Sequence, residues 1–171
     1  MRQKLIELDP MALSEIVRSG EIIEQEKKEE LHTGTSLWAD LDENLSLGEA
    51  GALYEAMEDI TFEADQAVYS QGERNSRLYF IKEGRLKLIY RHGNTEHLVR
   101  TSEPGDIVGG DSFFFITFCT TSLITISGVA AKYLDKDILN SWKEHYPQLE
   151  AKLYAYCQPH IESIHQFLKE K

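Results

Sequence analysis

Four side chains in the last third of the sequence can carry redox or haem-ligand chemistry: Cys119, Cys157, His160 and His165. A thiol reacts as its thiolate, which needs a cationic or partly exposed setting. Without one, two cysteines read as ordinary core or interface residues. They are too few for a disulfide scaffold, and no CxxC pair occurs, so no structural zinc or other metal site is expected. His92, Glu96 and His97 lack the helical spacing of a zinc site and read as a surface turn. Asp40-Leu41-Asp42-Glu43-Asn44 opens like a calcium loop. Its sixth position is Leu45 rather than the glycine of the sharp turn, and its twelfth is Gly51 rather than a bidentate glutamate, so it is rejected. There is no GxSxG, no P-loop and no recognisable carboxylate pair, and no enzymatic activity is expected. The remaining stretch of interest runs from Gly109 to Ser122. Glycine at 109 lets backbone N–H groups approach an anion at the start of a short helix. No Lys or Arg lies between Arg100 and Lys132 to assist them.

The elements that position these groups are read from periodicity. Met11 to Leu31 carries apolar residues at Leu13, Ile16, Val17, Ile22 and Ile23, a helical pattern weakened by Gly20. Ser46 and Glu49 have capping-box spacing, and Ala50, Leu53, Tyr54 and Met57 then form one buried stripe. After Asp59 the period shortens to that of strands around Phe62, Ala67–Tyr69, Leu78–Ile81, Leu86–Tyr90, Leu123–Ile126 and Val129–Leu134. Leu86, Leu88 and Tyr90 alternate with Lys87, Ile89 and Arg91, as in a half-buried strand. His92-Gly93-Asn94 predicts a hairpin, and Glu103-Pro104-Gly105-Asp106 a second turn. Short strands at this spacing point to a sandwich, barrel or jelly roll. Asp135 predicts an N-cap for a short helix to Trp142, and Pro147 the first turn of another. Leu149, Leu153, Tyr156, Ile161, Ile164 and Leu168 recur along that last helix, which Pro159 is expected to kink or break.

The chain has 171 residues and a formal charge of -11. Residues 1–59 hold 5 Lys+Arg against 15 Asp+Glu, so nearly all the excess charge is in the first third. Such a surface repels phosphate backbones, and no direct nucleic-acid binding is expected. No apolar run approaches the roughly 18–20 residues of a membrane span, and the N-terminus does not read as a signal peptide. A cytoplasmic protein with reduced thiols is expected.

From about Leu41 to Leu153 the chain resembles a cyclic-nucleotide-binding domain, the effector module of Crp/Fnr regulators, cyclic-nucleotide-dependent kinases and gated channels. The resemblance is carried, in order, by Asn44-Leu45-Ser46 with Glu49 and Leu53, by Val68-Tyr69-Ser70-Gln71-Gly72-Glu73 and by Leu78 to Leu88 around Glu83-Gly84. Pro104-Gly105-Asp106-Ile107-Val108-Gly109 and Leu134-Asp135-Lys136-Asp137 complete it. It implies an α+β fold: a β-roll or jelly roll (double-stranded β-helix) flanked by N-terminal helices and a C-terminal helix. The domain reading is an acidic helical extension over 1–35, the roll with its opening helix over 36–145, and the C-terminal helix over 146–171. The resemblance also implies that the last helix packs on a second copy, with Leu149, Leu153, Tyr156, Ile161, Ile164 and Leu168 as the seam of a homodimer.

The chain departs from the family where the ligand would sit. The family's phosphate-binding cassette has a glycine, then a glutamate for the ribose hydroxyl, and an arginine about ten positions later for the cyclic phosphate. Here the glutamate position is Gly110 and the arginine position falls at or near Thr120. Removing one partner of a buried charge pair costs about 3–5 kcal/mol, several hundred-fold or more in affinity. Asp111 adds like-charge repulsion. The expected ligand-binding set is therefore Gly109, Gly110, Asp111, Ser112, Thr120, Thr121 and Ser122, with Arg100 as the only candidate replacement for the arginine, and ordinary tight binding of cyclic AMP is not expected. Phe113-Phe114-Phe115 and Phe118 could line an apolar pocket in the nucleotide's place. The resulting reading is a small-ligand-sensing regulatory module that signals through its C-terminal helix to a protein partner or a fused output domain. The ligand is a cyclic nucleotide or another small molecule, and no other cofactor is implied. No helix-turn-helix is recognised, so the chain reads as a stand-alone module or the sensor portion of a longer protein. The alternatives are a ligand-free dimerisation or docking module, and a redox or haem sensor built on Cys119, Cys157, His160 or His165.

Overall fold

Short, β-rich runs separated by tight turns must bury one face each, and two sheets packed face to face are the solution found in the computed structural model of the chain. It describes residues 37–115 and 117–170. The expected helix over residues 11–31 and the expected boundary at residue 35 lie outside them. The elements are α1 (Ala39–Asn44), α2 (Leu47–Ala56), β1 (Glu58–Phe62), β2 (Ala67–Tyr69), β3 (Arg77–Glu83), β4 (Leu86–His92), β5 (Thr95–Ser102), β6 (Ile107–Val108), α3 (Gly110–Phe113), β7 (Ser122–Thr125), β8 (Val129–Asp135), α4 (Lys136–Ser141) and α5 (Leu149–Lys169). The chain divides into two units, residues 1–54 and 55–171. No helix among the described residues is long and apolar enough to cross a membrane.

In the first unit the capping box at the start of α2 forms as expected. The Glu49 backbone N–H donates to Ser46 Oγ at 3.1 Å, and the Ser46 N–H donates to Glu49 Oε1 at 2.9 Å. The Tyr54 hydroxyl donates to Asp42 Oδ1 at 2.7 Å, tying α2 to α1.

The second unit is the roll. Its two four-stranded antiparallel sheets have orders β1-β8-β3-β6 and β2-β7-β4-β5. Leu78, Phe80, Ile81, Leu86, Leu88, Leu123, Val129 and Leu134 are buried. The β4–β5 hairpin turns at Gly93, whose φ of 62° is left-handed, with His92 paired to Thr95. β3 and β4 belong to different sheets, as do β7 and β8. Two of the connections at which the chain changes sheet are the short corners at Gly84-Arg85 and at Ile126–Gly128. The two corners are stitched together: the Ile126 N–H donates to Arg85 O at 2.8 Å, and the Arg85 N–H to Ser127 Oγ at 3.0 Å.

Two expectations are corrected here. The alternation expected along β4 leaves Ile89 outside, yet Ile89 is as buried as Leu88, so both strand faces are covered at this point. Pro159 does not break the last helix, which runs unbroken from Leu149 to Lys169. Proline removes one backbone donor, but both Pro159 and Ala155, whose carbonyl loses that donor, are exposed to water. The apolar stripe on either side, Leu149 and Leu153 before and Ile161 and Ile164 after, is buried and holds the two halves in one line. Asp135 caps α4 as expected, accepting from the Asp137 N–H at 3.3 Å.

Candidate functional site

The site begins with a bulge. Across β4 and β5 the pairing steps from Leu88↔Arg100 to Ile89↔Leu98, leaving Val99 as an extra residue on β5. An extra residue reverses which face the following side chains take. Arg100 and Ser102 then stand opposite the buried Leu88 and Leu86, on the inner face of the roll. A regular strand with Leu98 outside would also have left Arg100 outside.

On the facing wall, Gly109 starts α3 with a φ of 93°. A Cβ there would lie 2.8 Å from the Arg77 carbonyl oxygen, so only glycine fits. Gly110 lies against α5, and a Cβ on it would lie 3.2 Å from Ile161 Cδ1 and 3.3 Å from Cys157 Cβ. Between these walls is a cavity of about 20 Å³, room for a single water. Tyr69, Leu88, Arg100 and Ser102 line it from the sheet, Ile107 to Asp111 from the cassette, and Cys157, His160, Ile161 and Ile164 from α5.

Arg100, His160 and Asp111 meet in this small space. Arg100 Nη2 is 3.4 Å from His160 Nε2, and Arg100 Nε is buried with no hydrogen-bond partner among the described residues. His160 also lies 4.0 Å from Asp106. Burial and the Arg100 charge hold the His160 pKa below the usual imidazole value, with Asp106 pulling weakly the other way. Asp111 is 5% exposed. Its Oδ2 accepts from the Thr120 hydroxyl at 3.2 Å, while Oδ1 has no well-formed partner among the described residues.

Burial pushes the Asp111 pKa up, against the hydrogen bonds from Thr120 and from the backbone of α3. A carboxyl whose pKa is higher folded than unfolded favours the fold at low pH. That contribution is lost as pH rises from about 3.9 through the folded value, and above it the charge is a standing cost. Asp111→Asn is therefore expected to raise the thermal midpoint at pH 7 by about 2–4 °C. The difference should shrink towards pH 4, read by melting curves at both pH values.

Of the eight expected ligand-binding residues, Gly109, Gly110, Asp111 and Arg100 come together at the cavity. The other four are turned to structural duties or lie off it. Ser112 Oγ accepts from Asn75 Nδ2 at 3.1 Å. Thr120 holds Asp111, Thr121 is fully buried, and Ser122 Oγ accepts from the Gln71 N–H at 2.8 Å. The expected aromatic pocket is corrected. Phe113 is buried, while Phe114 and Phe115 pack edge-on against Tyr154 of α5, with ring centres 5.3 and 6.0 Å apart, and Phe118 lies under Arg74.

The residues expected as a dimer seam lie mostly against the chain itself. Leu149, Leu153, Ile161 and Ile164 are buried within the single chain, Ile164 belongs to the core of the roll, and Leu168 packs against that core. Tyr156 is half-buried. Most of this stripe is used on the chain's own roll. The thiols are buried as well. Burial raises the pKa of Cys119 and pushes that of Cys157 up to about 12, so both stay protonated and unreactive near neutrality. That environment argues against a thiol switch. Tyr69, Ser102, Ile107 and Ile161 were not expected at the site. The signal for Ser102 lay in its register opposite Leu86, which depends on the bulge.

A two-sheet antiparallel roll, with a glycine-started short helix between β6 and β7 and a long C-terminal helix packed on it, defines a helix-covered β-roll. A sequence model of the cyclic nucleotide-binding domain matches residues 59–146, just over half of the chain, and the chain belongs to that family. A CRP-like cAMP-activated global transcriptional regulator of Mycobacterium tuberculosis is 32% identical over 103 residues, which are 60% of this chain and 46% of that regulator. The chain thus spans about half the length of this relative. A cyclic nucleotide-binding domain from Methylobacillus flagellatus has the same fold, with a TM-score of 0.66 at 16% identity over 84% of this chain and 85% of that one. So has the regulatory subunit of a cAMP-independent protein kinase A from Trypanosoma cruzi, solved bound to guanosine: its TM-score is 0.65 at 17% identity over 86% of this chain and 52% of that one.

Proposed function

We propose that the chain is a small-ligand-sensing regulatory module. A ligand enters the roll beneath α5, an anionic or strongly polar part of it pairs with Arg100, and its presence is passed through α5 to a protein partner or an output domain. The observation that carries this reading is the buried Arg100 Nε, which lacks a partner among the described residues and shares a cavity with the helix that would report occupancy. A buried donor left unpaired costs about 1–3 kcal/mol, which a ligand acceptor would recover. Arg100 comes from β5 and not from the cassette, so its reach differs from that of the arginine the family uses for the cyclic phosphate. The guanosine-bound neighbour adds phosphate-free nucleosides to the chemistry worth probing, since they need no cassette arginine.

Calorimetric titration with cyclic AMP, cyclic GMP, adenosine and guanosine tests this. A several-hundred-fold loss from micromolar binding leaves a Kd for the cyclic nucleotides of about 0.1–1 mM. Arg100→Ala is expected to weaken binding of the preferred probe by a further factor of about ten. Binding unchanged in Arg100→Ala would move the polar contact elsewhere. A folded chain that binds none of the four would overturn the reading in favour of a ligand-free docking or dimerisation module.

A further inference from the structure

We propose that α5 is itself the resident occupant of the pocket, and that Gly110 is the residue that admits it. Gly110 thereby decides what the pocket holds: ligand and seated helix exclude one another. The inference rests on the preceding reading only for what displaces the helix, not for the seating.

The geometry is specific. Beneath α5 the remaining space is about 20 Å³, so no molecule larger than a water fits while the helix is in place. The approach is set at one point, where the bare Gly110 backbone meets Cys157 and Ile161. A Cβ there would stand 3.2 Å from Ile161 Cδ1 and 3.3 Å from Cys157 Cβ, tighter than ordinary van der Waals contact. One carbon could be absorbed by a small shift, but a longer side chain could not. Further contacts keep the helix down on either side. Phe114 and Phe115 hold Tyr154, and Phe115 also lies 6.1 Å from His165. Arg100 meets His160 at 3.4 Å. Ile164 completes the seat by entering the core of the roll. A ligand bound to Arg100 must take this guanidinium from His160 and lift Cys157 and Ile161 off Gly110. Binding and release of α5 are then one event, and the ligand's free energy is reduced by whatever holds the helix.

The test is hydrogen exchange on the whole chain, without any ligand, for the unaltered protein, Gly110→Ala and Gly110→Glu. Gly110→Glu is expected to speed exchange across residues 153–165 by a factor of about ten or more, with β3, β4 and β8 still protected. Gly110→Ala should give a smaller change. Ile161→Val added to Gly110→Ala should bring the protection of α5 back toward that of Ile161→Val alone, because it removes Cδ1, the nearest atom the new Cβ meets, with the smallest loss of buried side chain. If Gly110→Glu does not fold, this set of variants decides the matter. Protection of α5 unchanged in folded Gly110→Glu, or an effect of Gly110→Ala no smaller in the Ile161→Val background, would overturn the proposal. Nucleotide and nucleoside titration of Gly110→Glu separates the two readings. Faster exchange in α5 with no binding of any probe leaves the seat standing and removes ligand sensing. Faster exchange with binding at least about ten-fold tighter than in the unaltered chain supports both.

Discussion

Gly84→Ala is expected to leave the roll largely unfolded at 25 °C. Gly84 has a φ of 92°, and an added Cβ would strike the Gly128 carbonyl oxygen and stand 2.9 Å from Val129 Cα. Both neighbours are backbone, so neither can rotate away. The left-handed conformation alone costs a residue with a side chain about 1–2 kcal/mol. Separating the two sheet-changing corners would also break the bonds from Ile126 to Arg85 and from Arg85 to Ser127. The sum is on the order of 4–5 kcal/mol, comparable with the whole stability of a modest domain. Gly72→Ala is the control, because its φ is 88° but nothing lies within 4 Å of the added carbon. It should cost only the conformational strain, about 1–2 kcal/mol. Urea unfolding followed by circular dichroism reads both, and equal losses in the two variants would show that the corner contact matters little.

Leu123→Ala is expected to cost about 2–5 kcal/mol and to lower the thermal midpoint by about 5–15 °C. Leu123 is fully buried on β7, between Tyr69 of β2 and Leu88 of β4. Its neighbours are strands already bonded into a sheet, which cannot close around the missing carbons, so most of the cavity persists. Tyr69 and Leu88 also line the space beneath α5. The variant should therefore loosen the floor of the site as well as the core. A melting curve checks the first effect, and exchange at residues 157–164 checks the second. A loss below about 1 kcal/mol would mean that β2 and β4 collapse onto the gap.

Local signals were sufficient for elements whose cause is local. The capping box at Ser46 and Glu49, the hairpin at Gly93 and the cap at Asp135 each depend on atoms within a few residues, and each forms as read. The order of turn glycines and apolar runs was enough to identify the fold family, and Gly72, Gly84, Gly105 and Gly109 each take left-handed backbone in this roll. No Lys or Arg lies between Arg100 and Lys132, and that alone was the basis for expecting no ordinary phosphate contact from this stretch.

What the sequence determined by itself, then, was the family and the chain order of its elements, together with an expectation that two ligand-binding side chains of the family are replaced. The tertiary structure decided what stands in their place. Arg100 turns inward because pairing between β4 and β5 slips by one residue at Val99, a choice made between strands and not written in either. The stripe on α5 has the period of a helix that packs on something, and periodicity is the same whether that something is a second copy or the chain's own roll. Within the chain, Ile164 enters the core, and Ile161 settles on a glycine fifty-one positions earlier. Such contacts are decided by the volume left after every other side chain is placed, and no local pattern encodes that volume.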